Sequence, residues 1–87
     1  MSEQEIYQTL QIIFNLILRK APKLTPELTA RSVPEWDSIA QIQIVVEVEK
    51  AFRIRFALGE VESTRNVGEM VALIARHVNA QPESNLG

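Results

Sequence analysis

The chain predicts an all-α fold, a small helical bundle, on three observations. Two segments near its ends carry apolar residues at helical spacing. A third segment between them opens on a strong helix-start signal, and no stretch alternates long enough to build a sheet. With 87 residues there is room for one domain, which buries roughly 60 to 65% of the surface its unfolded chain exposes. There is no cysteine, so neither disulfides nor thiolate ligands support so small a core, and helix packing has to hold it.

In the first segment Ile6, Leu10, Ile13, Phe14 and Ile17 recur at helical spacing, with Gln8, Gln11 and Asn15 largely between them. Arg19 and Lys20 suit the C-terminal end of that helix dipole. Pro22 and Pro26 break it. From Ala21 to Glu35, with a third proline at Pro34, periodicity is lost, and so long a connection is more often functional or flexible than incidental.

The second helix is expected to begin near Asp37 or Ser38 and to end near Phe52. Either side chain can accept from the first free amides, and Ser38-x-x-Gln41 fits a capping box. Ile39, Ile42, Ile44, Val45, Val46 and Val48 supply more apolar surface than one buried stripe needs, so some of them face outward. Arg53-Ile54-Arg55-Phe56 reads as an extended piece with both apolar side chains inward. Gly59 to Ser63 holds a short irregular turn with Val61 on its buried side. Asn66 caps the last helix, with Glu69 three residues on and Val67, Met70, Val71, Ile74 and Val78 as its stripe. Residues 1–80 form the single domain, and residues 81–87, opening Gln81-Pro82-Glu83, read as a flexible tail.

Function classes narrow by composition. Nine basic against eleven acidic residues, a net charge of −2, argue against a general nucleic-acid binder. Met1-Ser2-Glu3-Gln4-Glu5 lacks a basic n-region and no apolar run is long enough to span a bilayer, so the expected location is cytoplasmic. Lone His77 has no companion ligand and is assigned a surface or packing role. No paired carboxylates stand at a recognisable acid/base spacing. The expectation is a protein that is not an enzyme.

The motif that carries chemistry is Trp36-Asp37-Ser38-Ile39. Taken alone, an Asp-Ser pair at a helix start is usually a cap. Here it stands in register with Glu47-Val48-Glu49-Lys50-Ala51-Phe52, an apolar helix with glutamates closing on phenylalanine, and with Asn66-Val67-Gly68-Glu69, which opens the last helix. The three together resemble the acyl carrier protein and peptidyl carrier protein family from about Ile6 to Val78. That resemblance implies a four-helix bundle of three longer helices and one short one, with a long loop after the first. It also implies that Ser38 is the attachment point of a covalent 4'-phosphopantetheine arm from coenzyme A, with Asp37 as the adjacent motif residue.

Trp36, Ile39, Val46, Glu47 and Glu49 stand where the resemblance implies docking by partners. Core packing or a solvated face is the competing role for each, and Trp36 also suits a staple onto the first helical turn. The implied partners are a phosphopantetheinyl transferase and the enzymes that load and process an acyl or aminoacyl cargo. The carrier is expected to be a monomer with no membrane span. Fatty-acid synthesis carriers usually have a strongly acidic second helix; here Ala40, Gln43 and Lys50 interrupt that acidity, which reduces electrostatic steering and points to a specialised fatty-acid, polyketide or related pathway. A helical interaction module that is never modified is the alternative.

Overall fold

In a computed structural model, which describes residues 1–80, the chain forms α1 (Glu3–Ile17), α2 (Ser38–Phe52) and α3 (Val67–Ala80). Two single 3₁₀ turns, Ala30–Ser32 and Val61–Ser63, lie in the connections. The described residues contain no strand. The fold is all-α, as expected, and the short fourth helix is reduced to the 3₁₀ turn at Val61–Ser63. The expected tail at 81–87 lies outside the described residues.

α1 starts on a reciprocal cap that the sequence reading overlooked, although Ser2-x-x-Glu5 announces it. The Glu5 amide donates to Ser2 Oγ at 3.2 Å and the Ser2 amide donates to Glu5 Oε1 at 2.9 Å. Ile6, Leu10, Ile13 and Phe14 are its buried face, and α1 packs on both α2 and α3. The helix stops when Leu18 turns extended (φ −100°, ψ 134°) and buries its side chain. Arg19 and Lys20 therefore fall beyond the last turn, which holds no basic residue, and the expected dipole contact inside the helix is not made.

α2 buries one narrow stripe, Ala40, Ile44, Val48 and Phe52, spaced four apart. Arg53 closes it in the left-handed region (φ 58°, ψ 47°), with the Ile54 amide donating to Glu49 O at 3.1 Å. That six-to-one bond usually recruits glycine, because a side chain there costs about 1–2 kcal/mol. Burial of Ile54 beyond the turn offsets it. The segment after it is irregular, with Ile54 buried and Phe56 half-buried against the core, so both apolar side chains turn inward as expected.

The long first connection is tied at both ends. Gln11 clamps its start: Gln11 Nε2 donates to Pro22 O at 3.0 Å and the Leu24 amide donates to Gln11 Oε1 at 2.9 Å. Leu24 and Val33 enter the core. Farther on, Leu28 O and Pro26 O accept from the Val67 and Gly68 amides, each at 2.9 Å. The loop thus satisfies two of the free donors that any helix N-terminus leaves. Gly68 is what allows the approach, since a Cβ there would lie 3.1 Å from both Cβ and O of Pro26. Asn66 caps α3 as expected, its Oδ1 accepting from the Glu69 amide at 2.8 Å, while Glu69 Oε1 reaches back to the Arg65 amide. Leu73 joins the expected apolar positions in the core.

One polar contact pins the second connection to α3. Glu60 Oε1 lies 2.8 Å from His77 Nε2 and also accepts from the Ala57 amide at 2.7 Å, while the His77 ring stands edge-on to Phe56 at 5.2 Å. This is the packing role expected of the lone histidine. The Ala57 amide first, then the His77 ring, hold the Glu60 carboxyl below its ordinary value. A carboxyl lowered on folding contributes stability that is complete above its unfolded value and fades as pH falls through the folded one. Glu60→Gln is therefore expected to lower the urea midpoint at neutral pH, with the gap to the parent protein closing below about pH 4.5.

Candidate functional site

The site is built outward from a buried indole. Trp36 is only 7% exposed. Its ring meets Phe14 of α1 edge to face, centroids 4.9 Å apart at 84°, and its Nε1 donates to Gln41 Oε1. Trp36 is thus a core residue, and of the packing and docking roles expected of it these contacts supply the packing one, with the indole also lining the cleft beside Ser38. The capping box is corrected. Gln41, assigned to reach back to the helix start, uses its side chain to satisfy Trp36, a bond between residues five apart that no capping pattern signals.

The residue after the tryptophan begins α2. Asp37 is extended (φ −96°, ψ −171°) and its Oδ1 accepts from the Ala40 amide at 2.9 Å, so the aspartate is the cap. Ser38 is then the first helical residue, and it is exposed. Among the described residues no hydrogen bond engages its hydroxyl. The histidine is committed to Glu60. The arrangement presents an exposed hydroxyl that can accept a group from another protein. The dipole and free amides of the helix start favour an anion bonded at this position.

Beside Ser38 an open cleft of about 330 Å³ runs between the N-terminal ends of α2 and α3. Gln41, Asn66, Thr64 and Arg65 give it a polar rim, and Val61 and Met70 an apolar floor. Its α3 side is assembled by the second connection, so only the folded chain brings these residues to Ser38. No group of three or more metal-ligating side chains occurs among the described residues.

The remaining expected docking residues separate. Ile39 is 69% exposed and Val46 is 46% exposed on the outer side of α2. Glu47 is half-exposed and lies 3.7 Å from Lys50, one turn on. Glu49 Oε2 accepts from the Phe56 amide at 2.8 Å, so this half-exposed side chain braces the turn after α2. Two exposed aliphatics on α1, Ile12 and Leu16, were missed; nothing in a helical repeat marks which flank of an apolar stripe stays uncovered.

No family model matches the chain and no curated protein sequence matches it. Among solved structures, the chain is similar to the solution NMR structure of a holo acyl carrier protein from Geobacter metallireducens. The match has a TM-score of 0.73 and 29% sequence identity, and it covers 88% of this chain and 94% of that one. That similarity supports a place in the acyl carrier protein family. It supports a carrier role as well. No described helix is long and apolar enough to cross a membrane.

Two substitutions separate packing from presentation. Trp36→Ala is expected to cost about 3–5 kcal/mol, read from the urea midpoint by far-ultraviolet circular dichroism. Asp37→Ala is expected to cost about 1 kcal/mol as a lost cap, whereas Asp37→Asn, which still accepts from the Ala40 amide, leaves stability within about 0.5 kcal/mol of the parent.

Proposed function

We propose that this chain is a cytoplasmic acyl carrier that carries acyl or aminoacyl intermediates as thioesters. The 4'-phosphopantetheine arm is bonded through Ser38 Oγ. What carries the reading is one observation: an exposed, unengaged hydroxyl at the first residue of α2, in a chain that matches a holo carrier protein along most of its length. The residues present fit the group. Ser38 would supply the oxygen, and the start of α2, with its dipole and free amides, would favour the phosphodiester's negative charge.

Attachment needs a transferase. The Ser38 Oγ–P bond forms as coenzyme A's pyrophosphate P–O bond breaks. The serine proton passes to a base on the transferase, and the nucleotide bisphosphate leaves with metal assistance. Asp37 supplies a charge beside the serine for that enzyme to recognise while its Oδ1 keeps the helix capped. Once bound, the arm supplies the thiol that this cysteine-free chain lacks. The chain's own contribution is to hold the arm at a rigid helix start and to offer Ile39 and Val46 to loading and processing enzymes.

A specialised fatty-acid, polyketide or related pathway suits this α2 better than general fatty-acid synthesis. Gln43 is uncharged on its outer face, Glu47 is matched by Lys50 and Glu49 is engaged with the backbone. Long-range steering by acidic residues is correspondingly weak.

Incubation of the whole protein with coenzyme A, Mg²⁺ and a broad-specificity phosphopantetheinyl transferase is expected to raise the intact mass by one phosphopantetheine. Ser38→Ala is expected to abolish the gain while retaining the helical circular dichroism. An unchanged mass for the parent protein would overturn the carrier reading and leave an unmodified helical interaction module.

A further inference from the structure

Between Phe56 and the cap of α3 the chain crosses from α2 to α3 on a strap, Ala57 to Thr64, that has few holds on the rest of the molecule. Val61 is its one buried residue, and Leu58 stands fully in solvent beside Gly59, whose φ is +87°. Its backbone bonds join residues three apart: the Glu60 amide to Ala57 O, the Ser63 amide to Glu60 O and the Thr64 amide to Val61 O. Among the described residues, one polar contact ties the strap to another element, Glu60 Oε1 to His77 Nε2 in the last turn of α3. We propose that the strap is a gate on the cleft beside Ser38, latched by Glu60 and His77, and that it opens as a unit while the three helices stay packed.

Glu60 couples the latch to the cleft. Its carboxylate holds His77 at 2.8 Å and the Ala57 amide at 2.7 Å, while its carbonyl accepts from the Ser63 amide at 3.3 Å and from Ser63 Oγ at 2.8 Å. Val61, Glu62 and Thr64, the residues gathered by those bonds, are cleft wall. A side chain in the last turn of α3 therefore fixes the wall that faces Ser38 at its first.

The helices do not depend on the strap for their places. α1 packs on both α2 and α3, and the cap of α3 is made by Asn66, beyond the strap. Opening costs the burial of Val61 and the edge contact between Phe56 and His77, and it uncovers Met70 on the cleft floor. Segments with so little buried surface and only local bonds open at a fraction of the global free energy. Glu60, ionised at neutral pH, can only accept, so His77 Nε2 donates. Glutamine in place of His77 keeps a donor at that position; alanine does not. The consequence for an arm on Ser38 rests on the carrier reading, whereas the latch belongs to the unmodified chain.

Native-state amide hydrogen exchange of the full unmodified chain, followed by NMR in urea kept below the unfolding transition, tests the gate. The Ser63 and Thr64 amides are expected to exchange faster than those of Val71 and Ile74 and with little dependence on urea, the mark of local opening. His77→Ala is expected to speed the Ser63 and Thr64 amides on the order of tenfold and to shift the Met70 methyl resonance, with helical circular dichroism retained. His77→Gln is expected to return exchange to within about threefold of the parent. Ser63 and Thr64 amides that share the urea dependence of Val71 and Ile74 in the parent protein would overturn the proposal, because the strap would then open only when the whole chain unfolds. So would strap exchange or a Met70 resonance that His77→Ala leaves unchanged. A failure of phosphopantetheine transfer to Ser38 alters none of these outcomes, so the two readings fail separately.

Discussion

Burial of Trp36 against Phe14 is the constraint on which the site depends. The indole joins the end of the long loop to the last turn of α1, and its N–H is satisfied by Gln41 one turn into α2. With Trp36 held inside, the two residues that follow are carried outward. Asp37 meets the free amides of a helix start, and Ser38 takes the first helical position with its hydroxyl in solvent. A buried aromatic worth roughly 2–3 kcal/mol in transferred surface alone thus sets where α2 begins and where the Ser38 hydroxyl stands.

The two connections apply the same logic from the other side of the bundle. Carbonyls of Pro26 and Leu28 seal the start of α3, and Glu60 ties the second connection to His77 near its end. Both are polar contacts in which loop groups satisfy groups that a helix leaves open. They hold Thr64, Arg65 and Asn66 along the cleft facing Ser38. A chain with little core to spend on rigidity obtains it where it matters for presentation, around the N-terminal ends of α2 and α3. The outer side of α1 and α2 keeps Ile12, Leu16, Ile39, Ile42 and Val46 exposed.

Much of this was legible before any coordinates. Helix boundaries at Ser38, Phe52 and Val67 follow from caps and breakers, which are local chemistry. The surplus of aliphatic residues on α2 requires exposed ones, and Ile39, Ile42 and Val46 are exposed. Ambiguities arose where one side chain had two locally equivalent uses. Gln41 fits a capping box as well as it fits a bond to Trp36, and only the fold brings the indole within reach. Glu49 resembles a solvated helix face until the chain turns back at Arg53 and presents the Phe56 amide to it.

The sequence by itself determined the three helices and a serine at a helix start in register with the carrier motifs, because each depends on neighbours within a few residues. The tertiary structure decided the rest. Whether Trp36 points in or out, how the first loop is secured, which residues share a cleft with Ser38 and which α1 residues stay uncovered all depend on contacts between residues far apart in the chain. Local periodicity records which side of a helix is apolar; it does not record how much of that side the other helices reach.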